Sequence, residues 1–108
     1  MTQPTSGVVQ VETTCDSADA ANALVRDTVA ARLAACGQVG AITSTYWWQG
    51  DVQTGTEWRI TFKTTDAKAD ELESFLLQHH PYETPEVLRT PVLGGNPAYL
   101  AWVAAEVE

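Results

Sequence analysis

The densest run of reactive side chains is His79-His80-Pro81-Tyr82-Glu83-Thr84-Pro85-Glu86. Imidazole suits copper and zinc, and nearby carboxylates can complete such a site. Adjacent residues on a regular helix diverge by about 100°, so the pair can chelate one ion only if Pro81 unwinds the turn. The same phase supports a plainer role. His79 falls in line with Leu72, Phe75 and Leu76 as a core residue, while His80 complements the partial charge of a helix C-terminus. The cysteines and histidines do not come as close pairs of pairs, so zinc-finger spacing is absent. Cys15 sits just before a helix start, where the dipole can lower a thiol pKa, or it is a small residue tolerated in a loop. Cys36 reads as core. A phosphate loop with Lys, G-x-G-x-x-G, G-x-S-x-G and H-E-x-x-H are all missing, so no enzyme is expected. Gly94-Gly95-Asn96 reads as a strand-to-helix turn.

The elements that position these groups follow from periodicity. Gly7 to Thr14 alternates as a strand, with Val9, Val11 and Thr13 on one face and Val8, Gln10, Glu12 and Thr14 on the other. Asp16 or Ser17 caps a helix carrying Leu24, Val25, Val29, Leu33 and Cys36, which Gly37 ends. Ala41 to Trp48 is β-branched and aromatic and predicts a strand. Gln49-Gly50-Asp51 and Gly55 supply turn chemistry before a strand in which Trp58, Ile60 and Phe62 alternate with Arg59, Thr61 and Lys63. Thr65 or Asp66 caps a second helix that Pro81 and Pro85 stop. Glu86 to Leu93 is a strand placed at an edge or bulge by Pro91. Ala98 to Glu106 closes the chain as a short helix.

The order β-α-β-β-α-β with an appended helix predicts an α+β, ferredoxin-like sandwich, two helices covering one face of a four-stranded antiparallel sheet. Residues 1–6 are expected to be a loose tail and 7–108 a single domain. The uncovered face should carry Gln10, Glu12, Thr14, Arg59, Thr61 and Lys63. Tyr46, Trp47 and Trp48 expose more apolar surface than one small sheet hides, which predicts an interface.

The chain has 108 residues, 44% hydrophobic content and a net charge of −8, enough for one domain with a real core. Six scattered Lys and Arg against fourteen Asp and Glu make no basic face, so neither nucleic acid nor an anionic membrane is an expected partner. The first seven residues carry no basic group and no apolar run, unlike a signal peptide, and Leu33 to Gly50 is too polar to span lipid. The helix between the cysteines would hold its ends ~25 Å apart, too far for a disulfide. Free thiols fit a reducing compartment, and a cytoplasmic location is expected.

Four segments together resemble the CutA family of divalent-cation tolerance proteins. They are Leu33-Ala34-Ala35-Cys36, Thr43-Ser44-Thr45-Tyr46-Trp47-Trp48-Gln49-Gly50, the second helix running into His79-His80-Pro81-Tyr82-Glu83-Thr84-Pro85-Glu86, and Gly95-Asn96-Pro97-Ala98-Tyr99-Leu100-Ala101-Trp102. The resemblance covers nearly the whole chain from Gly7. It implies a homotrimer similar to the PII signalling proteins, with sheets toward the threefold axis, and a part in tolerance of copper and other divalent cations. Copper ligation in the family is associated with a first-strand Cys and a His pair. The pair matches His79 and His80, and the strand position matches Glu12, with Cys15 three residues later. A carboxylate in place of the thiolate disfavours Cu(I) and leaves Cu(II) or Zn(II) feasible. The implied ligands are therefore His79, His80 and Glu12, holding Cu(II) or another divalent cation weakly and not as a condition of folding. The alternative is a PII-like sensing or interaction module. It would use inter-subunit clefts near Tyr82, Glu83, Lys63 and Trp48, and Tyr46 and Trp47 would lie at the subunit contact.

Overall fold

A computed structural model describes residues 6–108 of the chain. Its elements are β1 (Val8–Cys15), α1 (Ala18–Ala30), β2 (Cys36–Trp48), β3 (Asp51–Thr65), α2 (Asp66–His79), β4 (Val87–Pro91) and α3 (Pro97–Glu106). All pairings are antiparallel, and the sheet order is β2-β3-β1-β4. This is the expected ferredoxin-like α+β arrangement. Residues 1–5 of the expected tail lie outside the described residues, while the Ser6 hydroxyl donates to the Val92 carbonyl at 2.6 Å.

Alternation along the strands decides which face is which. Val9, Val11, Thr13 and Cys15 of β1 face inward with Ile60, Phe62 and Thr64 of β3, and α1 and α2 cover them with Ala21, Leu24, Ala69, Leu72 and Leu76. Ser17 caps α1 by accepting the Ala20 N–H at 3.0 Å. The register puts Gln10 opposite Lys63, Glu12 opposite Thr61 and Thr14 opposite Arg59, so the predicted polar face forms as one surface.

Several boundaries differ from the sequence expectation; β4, expected over Glu86 to Leu93, is confined to Val87–Pro91. α1 stops at Ala30 rather than at Gly37, because Arg32 takes the left-handed conformation (φ 62°) that the reading reserved for glycine. The freed residues lengthen β2, which begins at Cys36. Gly55 is a strand residue opposite Ser44, and the turn is the two-residue Gln49-Gly50, both at positive φ, as a type I′ hairpin requires. The result is a hairpin of 13- and 15-residue strands.

The third helix was expected only as an appendage. It packs on β3 and β1 from the face opposite α1 and α2. There Tyr99 reaches the Cys36 sulfur, its hydroxyl 3.6 Å away, and Val103, Val107 and Val8 are buried outside the main core cluster. Cys36 is therefore half-buried beneath α3 rather than in the main core. Arg32 ties the end of α3 down through Glu106 at 2.9 Å.

On the inner side, Arg89 of β4 reaches Asp66, Asp70 and Glu73 of α2 at 3.3, 2.6 and 2.5 Å. Pro81 ends α2, and this fan of ion pairs brings the chain back onto the sheet beyond it.

Candidate functional site

The His pair lies where α2 gives way to the segment leading into β4. His79, in the last turn of α2, is exposed and stacks on Phe75 with ring centres 4.0 Å apart. Its Nδ1–H donates to the Phe75 carbonyl at 2.8 Å, which leaves the Nε2 lone pair outward. The core role that helical phase allowed for His79 is thus not taken. A ring fixed at Nδ1 by a carbonyl is the arrangement common to metal-binding histidines.

His80 is the first residue past α2, in extended backbone. Its Nε2–H donates to the Thr14 carbonyl at 2.8 Å, and its Nδ1 accepts the Tyr82 N–H at 3.0 Å. Glu12 lies two residues before Thr14, but whereas His80 bonds the Thr14 backbone carbonyl, the Glu12 carboxylate stands on the polar sheet face and accepts the Thr61 hydroxyl at 3.4 Å. Among the described residues, no three His, Cys, Asp or Glu side chains gather where one ion could be held. The trio His79, His80 and Glu12 therefore does not fit a chelating metal centre within one chain.

Next to the pair, Tyr82 donates its hydroxyl to Glu57 of β3 at 3.1 Å and lies against His80 with centroids 4.9 Å apart. Burial, followed by the Glu57 carboxylate, pushes the Tyr82 pKa well above the usual phenol range. The Cys15 thiol close by is also pushed up, mainly by burial and then by the Asp16 and Glu57 charges. The reactive Cys15 considered from its place before α1 is not realised, because desolvation outweighs the helix dipole. Glu57 was not singled out in the sequence. Its position before Trp58 in an alternating strand gave no sign that it would meet Tyr82.

The remaining candidates are dispersed. Tyr46, Trp47 and Trp48 run to the hairpin tip with exposures of 46, 75 and 60%, joined by Val52 at 57%. Lys63 sits at the opposite end of the hairpin, ~40 Å along the strand from Trp48, and donates to Gln38. Glu83 is exposed in the segment after α2. Tyr82, Lys63 and Trp48 thus line no common cleft within one chain.

The fold and these surfaces define a ferredoxin-like sandwich protein with a long exposed hairpin and a histidine pair at the exit of its second helix. A family model described as CutA1 divalent ion tolerance protein matches residues 9–106. The chain belongs to the CutA family. It is 35% identical over 108 residues to the divalent-cation tolerance protein CutA of Escherichia coli O139:H28, covering 97% of this chain and 96% of that one. It is 36% identical over 103 residues to the chloroplastic Protein CutA 1 of rice, covering 94% of this chain but only 58% of the rice protein. The chain thus spans less than two thirds of the rice relative. The solved structure of CutA from Synechococcus elongatus PCC7942 superposes with a TM-score of 0.94 at 33% identity, covering 97% of this chain and 94% of that one. Among the described residues no helix is long and apolar enough to cross a membrane.

Proposed function

We propose that this chain works as a homotrimer in the response to divalent cations of the copper type, meeting the ion weakly through the outward Nε2 of His79. One observation carries the assembly. β2 is a 13-residue edge strand ending in Tyr46, Trp47 and Trp48, and long apolar edges are normally covered by another element or chain. The polar sheet face with Glu12 and Arg59 would then turn toward the partner chains. The names of the relatives support the cation response, and the exposed, carbonyl-anchored His79 supports its point of contact. A net charge of −8 favours diffuse cation association as well. Two free cysteines support a cytoplasmic location, and no catalytic step is assigned.

A second reading is favoured by the dispersed ligands: a PII-like module that binds a small molecule or partner between subunits, without metal. Sedimentation of the full chain with and without Cu(II) or EDTA, together with Cu(II) titration of wild type and His79→Gln, separates the two. A trimer whose Cu(II) affinity falls in the variant supports the first reading. Equal affinity in both proteins removes the metal contact, and a monomeric wild type removes the assembly.

A further inference from the structure

We infer that the two histidines are divided by role: His80 is a positioning residue that completes the β1 ladder and fixes the segment after α2, and is not a metal ligand. The inference rests on the cation reading above only for the part it gives to His79.

The reason lies in the strand register. The Val8 carbonyl accepts the Val92 N–H on the β4 side of β1, and backbone groups alternate sides along a strand, so the Thr14 carbonyl also points toward β4. The β1–β4 pairing stops at Thr13 opposite Val87, one residue too early to serve it. Thr14 is 6% exposed, and a buried carbonyl without a partner is costly. The His80 Nε2–H supplies the missing donor at 2.8 Å. The other ring nitrogen must then be the unprotonated acceptor, and it takes the Tyr82 N–H at 3.0 Å. Both nitrogens of His80 are therefore committed to backbone, one in β1 and one in the segment that carries Tyr82 and its bond to Glu57. For the ring to ligate an ion, one of these two bonds would have to break. His79 is the opposite case, with one nitrogen held and one open. The pair thus offers a cation a single nitrogen, and its adjacency in sequence does not make a chelate.

The test uses the full chain and Zn(II) alone, read by imidazole ¹⁵N NMR. Without metal, His80 should appear as the Nε2–H tautomer with a protected Tyr82 amide, and His79 as the Nδ1–H tautomer. On adding Zn(II), only the His79 Nε2 resonance should move. His80→Gln, whose amide can still donate toward Thr14, should bind Zn(II) within roughly twofold of wild type, whereas His79→Gln should weaken binding by roughly tenfold or more. His80→Ala should lose Tyr82 amide protection while keeping the Zn(II) response at His79. A Zn(II) shift at a His80 nitrogen, or an Nδ1–H tautomer for His80, would overturn the division. If no zinc response occurs in wild type, the cation reading fails, and the metal-free tautomer and amide protection still decide the role of His80.

Discussion

Gly37 is the point where a single methyl group should be felt most. It lies directly opposite Phe62 in the β2–β3 ladder, on the face covered by α1. A Cβ built there comes within 2.9 Å of Val25 Cγ1 and 3.1 Å of both Phe62 Cδ1 and Cε1. Unstrained carbon contacts lie at about 3.5–4.0 Å, so Gly37→Ala forces overlaps of roughly 0.5–1 Å against a fully buried ring and a helix. Overpacking of this kind costs about 1–3 kcal/mol, offset by about 0.4–1 kcal/mol from restricting the unfolded chain. The net loss should be ~0.5–2 kcal/mol, a fall in Tm of about 2–8 °C for a domain of this size. Thermal and urea unfolding at one fixed chain concentration measure it, because assembly makes stability concentration-dependent. Trimming the α1 side with Val25→Ala should reduce the cost of Gly37→Ala, giving a non-zero coupling in the double-mutant cycle. A Gly37→Ala protein that melts at or above wild type, or two effects that simply add, would refute the close approach.

Thr13 is fully buried, and its Oγ1 finds no hydrogen-bond partner among the described residues. Thr13→Val keeps the shape and removes the unpaired hydroxyl, so urea unfolding should register a gain of about 1–2 kcal/mol; a loss would mean the hydroxyl has a partner. Alkaline pH should destabilise the fold, because Cys15 and Tyr82 both have folded-state pKa values raised above their unfolded ones. That contribution is complete below the unfolded values, about 8.5 for the thiol and about 10 for the phenol, and is lost as pH rises through the folded values. In chemical denaturation across that range, Cys15→Ala should flatten the earlier part of the decline and Tyr82→Phe the later part. A wild-type profile flat to about pH 11 would contradict both assignments.

What sequence alone determined about this protein is what depends on periods of two and 3.6 residues. Val9, Val11 and Thr13 against Gln10, Glu12 and Thr14, and Trp58, Ile60 and Phe62 against Arg59, Thr61 and Lys63, already sort the two sheet faces. A cap at Asp16 or Ser17, a turn around Gly50 and the stop at Pro81 are local chemistry, legible without partners, although the extra turn residue read at Gly55 is a strand residue. The end of α1 was misjudged because Arg32, not a glycine, adopts the left-handed turn, a choice backed by its ion pair to Glu106 far along the chain. The place of α3 was equally invisible, since helical periodicity gives an apolar stripe but not the sheet face it covers. Tertiary structure alone decided the chemistry of the site. It raised the Cys15 pKa by burying the thiol, and it brought Glu57 to Tyr82. It also separated two adjacent histidines, because a ladder that stops at Thr13 leaves the Thr14 carbonyl to be satisfied by the second ring and leaves the first ring with its outer nitrogen free.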